Sequence, residues 1–264
     1  MSRVRAPAVA GMFYPADVAE LRQMVEKLLV EAPAPAKADD IPKALIVPHA
    51  GYIYSGPIAA SAYVRLSPIR SVIRRVVLLG PAHRVPVHGL ALPAVDEFST
   101  PIGKVALDHN AIETVRDLSQ VSVFDDAHTG EHSLEVHLPF LQLVLESFQL
   151  VPLVVGETSA EEVAEVLETL WGGDETLIVI SSDLSHYHDY QTAQEMDRAT
   201  SDAIERLAFE DIQREQACGR APVSGLLLVA RRKGLQSETI DLRNSGDTAG
   251  SRNQVVGYGA YVIH

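Results

Sequence analysis

The feature of this sequence that most constrains its fold is a series of short, uninterrupted apolar runs that alternate with stretches of helical periodicity. The apolar runs are Ala44–Val47, Val76–Leu79, Leu150–Val155 and Leu177–Ile180. Because their apolar residues are continuous, each run is typical of a strand that is buried on both faces. Helical spacing is found in Val18–Val30, Ile58–Leu66, Asn110–Leu118, Leu134–Phe148, Ala160–Leu170, Ala193–Leu207 and Val223–Arg232. Strands separated by helices predict an α/β protein with a mainly parallel sheet.

Two further segments complete the predicted organisation. The alternating pattern of Val255–Ile263 predicts a closing strand, and the Pro- and Ala-rich stretch Glu31–Pro42 predicts a surface connection between the first helix and the first strand. That stretch is too short to separate two domains. We therefore expect residues 1–264 to form a single domain.

Composition excludes several classes of protein. The chain has 264 residues, of which 47% are hydrophobic, and 22 basic against 35 acidic residues give a net charge of −13. An acidic surface repels a phosphate backbone, so we expect no nucleic-acid binding. One cysteine cannot form an internal disulfide framework. No apolar run approaches the ~18 residues of a membrane helix, and the opening residues lack the apolar segment of a secretory signal. We expect a cytoplasmic protein without a membrane partner.

Histidines follow three of the predicted strands. His49, His83 and His186 come two, four and six residues after the last residue of an apolar run. A lone histidine after a strand is commonly a turn residue, but three in parallel positions indicate a shared site, because ligands bind beyond the carboxyl ends of strands in α/β sheets. Neutral imidazole is the commonest metal ligand, and three protein ligands with an open position form a catalytic metal site. With His49 and His83 as two ligands, the third is His186, Asp183 or Cys218.

A second cluster of polar residues lies between His128 and His137, where three histidines and two glutamates occur within ten residues. Glu131 and His132 belong to this cluster. It is interpreted either as lining of an active site or as the polar start of a helix, where glutamate is favoured by the helix dipole. The HExxH zinc motif is absent. Tyr52 either walls a pocket or covers a strand end as a packing residue.

Five motifs resemble those of a known family. They occur in the same chain order at residues 48–52, 79–83, 131–139, 181–186 and 218–222. Together they resemble the Memo family, the mediators of ErbB2-driven cell motility in animals and component B of the AmmeMemoRadiSam system in prokaryotes. The resemblance runs from the segment Ala10–Pro15 to the final strand, so it covers nearly the whole chain.

The resemblance implies a fold similar to class III extradiol dioxygenases, with a mixed, mainly parallel sheet sandwiched between helical layers. In those enzymes two histidines and a glutamate hold Fe(II), and a further histidine acts as acid and base. Carried onto this sequence, the metal ligands are His49, His83 and Cys218, with Cys218 replacing the glutamate. His186 takes the acid/base position, and Asp183 lies beside it and sets its tautomer. A thiolate shifts metal preference towards copper or zinc, with iron still in the set, and its presence argues against ring cleavage itself.

The expected function is that of a metal-binding protein which uses one iron or copper ion, in preference to zinc, as an oxidoreductase on a small molecule. Substrate contacts are expected from His132, Glu131, Tyr52 and Arg220. Two alternatives remain: a non-catalytic module that binds phosphotyrosine peptides through the same cleft, and a metal-buffering protein. A phosphopeptide site needs several converging basic side chains, and near the motifs we find only Arg84, Arg220 and Arg252. The resemblance also implies a radical-SAM enzyme and its companion component as partners.

Overall fold

The fold is described from a computed structural model, in which residues 2–33 and 41–264 are described. The greater part of the predicted surface connection, residues 34–40, lies outside them. The helices are α1 (Val18–Glu31), α2 (Tyr52–Tyr63), α3 (His109–Val115), α4 (Asp125–Thr129), α5 (Leu138–Val144), α6 (Ala160–Thr169), α7 (Tyr190–Glu205) and α8 (Arg220–Lys233). The strands are β1 (Val4–Arg5), β2 (Ala44–Val47), β3 (Arg75–Pro81), β4 (Leu90–Leu92), β5 (Glu97–Thr100), β6 (Gly103–Ala106), β7 (Val121–Val123), β8 (Gln149–Val155), β9 (Thr176–Ser181), β10 (His186–His188), β11 (Ser237–Asn244) and β12 (Val255–Ile263). Among these helices, none combines the length and apolar character that a membrane span requires.

The main sheet has a parallel centre and antiparallel flanks. Its strand order is β10-β12-β2-β9-β3-β8-β4-β7, and β11 also pairs with β12. Strands β2, β9, β3 and β8 run parallel to one another, whereas β12 is antiparallel to β2 and β4 is antiparallel to β8. The four parallel strands therefore end at one edge of the sheet. A smaller sheet has the order β1-β5-β6.

Helices cover the sheet in the way that its buried strands require. Every residue of β2 and of β9 is buried. Helix α2 packs on β2 and β12 and against α1 and α5, while α8 packs on β3 and β9 and against α6. The predicted mixed, mainly parallel sheet between helical layers is confirmed.

Several local predictions need correction. The stretch Leu134–Phe148 is not one helix: a 3-10 turn over Glu135–His137 precedes α5, which ends at Val144. Helix α2 begins at Tyr52, earlier than expected, and continues through Gly56 and Pro57. A Cβ atom on Gly56 would lie 2.8 Å from a methyl group of Leu28. The glycine is therefore explained by the close packing of α1 on α2.

A buried ion pair attaches the N-terminal segment to the rest of the protein. Arg5 Nη1 lies 2.6 Å from Glu135 Oε2, and the two side chains are 6% and 0% exposed. Glu135 also accepts hydrogen bonds from the backbone N–H groups of Ala8 and Val9 and from the Tyr14 hydroxyl. Burial of an unpaired charge is costly, so this set of bonds fixes residues 5–14, including Phe13, against the segment that follows α4.

We predict that Glu135→Gln destabilises the protein by about 3–5 kcal/mol, because it leaves the Arg5 guanidinium buried without its counter-charge. Chemical denaturation would measure the change. Glu146→Gln is the matched control: Glu146 pairs with Arg70 at 3.3 Å on the surface, so its loss should cost at most ~1 kcal/mol. Equal effects of the two substitutions would contradict the role given to Glu135.

A candidate metal centre at the carboxyl edge of the sheet

The edge at which the parallel strands end opens into a pocket of about 650 Å³. His49 follows β2 by two residues, and His83 follows β3 by two residues. His132 comes from the segment between α4 and α5. All three rings line the pocket together with His186, so the predicted convergence of histidines from separate strand ends is present.

Three of these histidines form a cluster that could hold a metal ion. One ring nitrogen each from His49, His83 and His132 lies within 4.8 Å of the others. The ring centroids of His49 and His83 are 5.1 Å apart, those of His49 and His132 are 5.4 Å apart, and His83 stacks on His132 at 4.7 Å. Phe13 packs against His132 with a centroid distance of 4.7 Å. One ion could contact all three rings after a small movement of the side chains.

Hydrogen bonds fix the tautomer of His49. The Ser181 hydroxyl donates its only proton to the carbonyl of Ser133, at 2.6 Å, so towards His49 it can only accept. His49 Nδ1 lies 2.6 Å from Ser181 Oγ and must carry the donated proton. The lone pair of His49 is therefore on Nε2. A metal-binding histidine typically donates its other ring N–H in this way.

Glu131 positions the other two histidines. Its Oε1 atom accepts from His83 Nδ1 at 2.9 Å and from the backbone N–H groups of His132 and Ser133, while Oε2 accepts from the backbone N–H of His83 at 2.6 Å. Burial alone would raise the pKa of Glu131, but the hydrogen bonds and charge of His83 and the backbone N–H groups lower it to about 2. The ionised carboxylate holds the proton of His83 on Nδ1 and leaves the Nε2 lone pair free.

The environment keeps His49 and His132 in the neutral form that binds metals. Burial lowers the pKa of His49 well below its usual value, and the neighbouring imidazoles lower it further. Burial also lowers the pKa of His132 to about 4, against the opposing charge of Glu131. The Nδ1 atom of His132 is buried and accepts no hydrogen bond from any residue that the structure describes. The imidazole nitrogens of this cluster fit a metal ion. The lone pair of His49 Nε2 also faces the Cys218 thiol, at 3.4 Å.

The Cys218 thiol lies at the inner side of the cluster. Its Sγ atom is 3.4 Å from His49 Nε2 and accepts from the backbone N–H of Asp183 at 3.2 Å. Burial raises the pKa of this thiol, and the Asp183 carboxylate raises it further. A Cβ atom on Gly219 would lie 2.5 Å from the carbonyl of Ser181. Glycine at this position therefore allows the chain to bring Cys218 against the end of β9.

Asp183 and His186 are placed differently from the sequence-based expectation. The backbone N–H of His49 donates to Asp183 Oδ1 at 2.7 Å, and burial raises the pKa of Asp183 to about 7. The expectation that Asp183 sets the tautomer of His186 is wrong, because His186 Nδ1 is bonded to the carbonyl of Leu184 at 2.8 Å. That carbonyl can only accept, so the lone pair of His186 is on Nε2.

His186 is also held more firmly than expected. It belongs to the short strand β10, which pairs with β12, rather than to a loose loop. Asp197 accepts from the backbone N–H of Ser185 at 3.0 Å, and Gly257 exchanges backbone hydrogen bonds with Leu184 and Ser185. A Cβ atom on Gly257 would lie 2.0 Å from an Asp197 carboxylate oxygen. This close contact fixes the backbone that carries His186.

Three residues expected to bind substrate lie elsewhere. The Glu131 carboxylate is buried behind His83, with 1% of its side chain exposed, and therefore acts on the histidines. Tyr52 donates its hydroxyl proton to the carbonyl of Val136 and contributes to a groove beside α1. Arg220 donates from Nε to the carbonyl of Ile212 and lines another cavity. His132 does line the pocket, as a member of the histidine cluster.

The cluster between His128 and His137 divides between two roles. Glu131 and His132 belong to the site, whereas His128 bonds to the carbonyl of Ala91 and His137 to the Tyr63 hydroxyl, both in the interior. Helix α4 ends at Thr129, and residues 130–134 do not continue it as a helix. Sequence reasoning missed Phe13, Ser181 and Ser133. An aromatic residue in the opening motif was the only signal for Phe13, and a serine at a strand end carries no distinctive signal.

An α/β protein with three histidines at the carboxyl edge of its parallel strands is the class that this fold and site define. The family model described as "Memo-like protein" matches residues 5–262. The chain therefore belongs to the Memo family, which confirms the resemblance found in its motifs.

Proteins similar to this chain carry the same family description. A MEMO1 family protein of Aquifex aeolicus is 37% identical over 97% of each chain. One from Sulfolobus acidocaldarius is 33% identical over 97% of each chain. Among solved structures, the uncharacterized protein JW3007 of Escherichia coli K12 is similar, with a TM-score of 0.50 and 14% identity over 81% of this chain and 98% of that one. That similarity supports the fold alone.

Buried histidines predict how stability depends on pH. Burial lowers the pKa of His137 to about 3. Between pH ~6.5 and pH ~3 the unfolded chain binds a proton here that the folded chain does not, so stability should fall as pH falls, by up to ~1.4 kcal/mol per pH unit for this group. We expect His137→Gln to flatten the slope by up to this amount between pH 6 and 4.5. Denaturant unfolding across that range measures it.

The exposed Gln191 supplies the control for this experiment, since Gln191→Ala removes no titratable group and should leave the slope of the wild-type protein unchanged. The slope, rather than the absolute stability, is the informative quantity, because the glutamine also alters contacts with Tyr63. A His137→Gln slope equal to that of wild type would show that His137 does not remain neutral in the folded protein.

Proposed function

We propose that this protein binds one transition-metal ion at the cluster of His49, His83 and His132 and acts as an oxidoreductase on a small molecule held in the adjoining pocket. The observation that supports the proposal is the set of three imidazoles whose ring nitrogens lie within 4.8 Å of one another. Bound iron or copper would supply electron transfer and Lewis acidity, whereas zinc has no redox chemistry. We therefore propose iron or copper.

The protein's own groups have distinct roles in this proposal. His49, His83 and His132 hold the ion, and Cys218, close to His49, is the additional donor that the family resemblance implies. Ser181 and Glu131 orient the rings of His49 and His83, because each accepts a hydrogen bond from the Nδ1–H group of one ring. Such partners keep the lone pairs directed to the site and raise the basicity of the ligands.

His186 is the proposed acid and base. Its Nδ1 proton is bonded to the carbonyl of Leu184, which leaves Nε2 to accept a proton from a substrate in the pocket and to return it later. Burial lowers the pKa of His186 below its usual value, so the ring is neutral and ready to accept at neutral pH. Phe13, Tyr54 and Tyr258 line the same pocket and would exclude water from the substrate.

The two alternatives differ from this proposal in measurable ways. A phosphotyrosine module needs several basic side chains around the phosphate, and Arg84 is the basic residue that lines the pocket. Metal buffering predicts binding of iron or copper without turnover. A cytoplasmic location and association with a radical-SAM enzyme and its companion component stay predictions from the sequence and the family.

Glu131→Gln should weaken metal affinity about 10–100-fold. The substitution replaces with a neutral amide the carboxylate that accepts from His83 Nδ1 and from three backbone N–H groups. Competition with a chelator of known affinity, on anaerobically purified protein, measures the effect. The exposed Glu157 provides the control substitution, Glu157→Gln, which should leave affinity unchanged. Equal metal affinities for wild type and Glu131→Gln would show that Glu131 does not support metal binding.

Ligand and acid/base roles should separate when metal content and turnover are measured on the same samples. His49→Ala should lose both the metal and any O₂-consuming activity found with a panel of catechols and small metabolites. His186→Ala should keep wild-type metal content and lose ~10²-fold or more of that activity. The surface variant His109→Ala should keep both.

Loss of metal from His186→Ala to the extent seen in His49→Ala would contradict the division of roles. Full metal content without turnover on any substrate of the panel would favour metal buffering. Wild-type metal content in both variants would exclude the histidine cluster as the metal site.

A further inference from the structure

A second cavity, of about 610 Å³, lies on the other side of the wall that carries His83. His83 and Arg84 line the histidine pocket, while their chain neighbours Ala82 and Val85 line the second cavity. Cys218 also lines the second cavity, and its Sγ atom reaches to 3.4 Å from His49 Nε2. The thiol therefore lies between the histidine pocket and the second cavity. A small molecule in the second cavity can reach the thiol without entering the histidine pocket.

The second cavity carries positive charge in an acidic protein. Arg214 and Arg220 line it, and no carboxylate in the described part of the chain forms an ion pair with either of them. Glu157 also lines the cavity, but it lies 3.7 Å from His88 Nδ1, which lines it as well. Two guanidinium groups without an acidic partner, at one cavity, favour an anionic ligand.

Apolar side chains form part of the remaining lining. They include Val85, Val87, Val155, Ala217 and Ala221. Cavities that bind small molecules typically combine apolar walls with a few polar groups that orient the ligand. Arg220 and Ala221 also begin α8, whose dipole adds positive potential of the same sign. The positive end of the helix dipole adds to the charge of the two arginines, which are the main basis for an anion site in this cavity.

We propose that the second cavity binds a small organic oxyanion, a carboxylate or phosphate with a short apolar chain, beside the Cys218 thiol. The guanidinium groups of Arg214 and Arg220 bind the oxyanion, and the valine and alanine side chains contact the apolar chain. None of the three clustered histidines lines this cavity. The proposal therefore does not depend on the metal function proposed above.

Ligand-observed NMR on the full-length protein tests the proposal, with butyrate and propyl phosphate as probes and butyramide as the uncharged control. We expect one or both anions to bind and butyramide not to bind. Arg214→Gln and Arg220→Gln should each weaken anion binding about 2–5-fold, the effect of one exposed ion pair. Arg116, which pairs with Glu113 on the surface, supplies the control Arg116→Gln, which should bind as wild type does.

The single cysteine reports where the anion binds. Iodoacetamide alkylates the thiol with loss of iodide, and butyrate should slow this reaction in wild type, but not in the Arg214→Gln, Arg220→Gln double variant. Both measurements are made on protein as purified and after chelator treatment, and metal content is recorded. The arginine variants should keep wild-type metal content, so failure of this proposal is distinguishable from failure of the metal site.

Equal binding of butyrate and butyramide, or unchanged anion binding in both arginine variants, would overturn the proposal. Anion binding that depends on the arginines but does not protect Cys218 would overturn its placement beside the thiol. Failure of the thiol to react with iodoacetamide would also overturn that placement, because the second cavity would not then give access to Cys218. The two arginines are exposed, so their substitution should leave thermal unfolding unchanged.

Discussion

The candidate metal centre depends on one buried carboxylate. Glu131 accepts hydrogen bonds from the ring and backbone of His83 and from the backbone of His132 and Ser133, so it joins the end of β3 to the segment between α4 and α5. The strand fixes the backbone near His83, and this carboxylate joins the backbone of His132 to it. A buried charge is stable when it is fully hydrogen-bonded, and here the same bonds that satisfy the charge set the tautomer of a candidate ligand.

A second buried carboxylate, that of Glu135, helps to hold the segment that carries Glu131. Glu135 lies four residues further along the same segment, and its ion pair with Arg5 holds the N-terminal segment that places Phe13 against His132. Arg5 also donates to the backbone carbonyls of His128 and Glu131. The segment that supplies His132 is therefore held by charge on both sides, along an irregular and mostly buried path.

Sequence reasoning identified the sheet and the convergence of histidines because both depend on local signals. Continuous apolar runs predict β2, β3, β8 and β9, and parallel strands necessarily bring His49 and His83 to one edge. Strand β11, half exposed and polar, carries no such signal. The role of Glu131 could not be predicted, since it depends on which backbone N–H groups the carboxylate meets after folding. The expectation that Tyr52 and Arg220 contact substrate was wrong for a related reason. A residue that is close in sequence to a metal-ligand candidate can still direct its side chain into a different cavity.

The position of Cys218 places a thiol proton beside the candidate metal centre. The bond from Ser181 leaves a lone pair on His49 Nε2, and the thiol that lies 3.4 Å away has a raised pKa and therefore retains its proton. In the absence of an ion, that proton is positioned to be shared with the same lone pair that an ion would use. Thiols and imidazoles bind metals only in their deprotonated forms, so a metal ion at the proposed site would compete with the thiol proton for the place between His49 and Cys218. His49 lines the histidine pocket and Cys218 lines the second cavity, so a ligand in either one would lie beside this pair of residues.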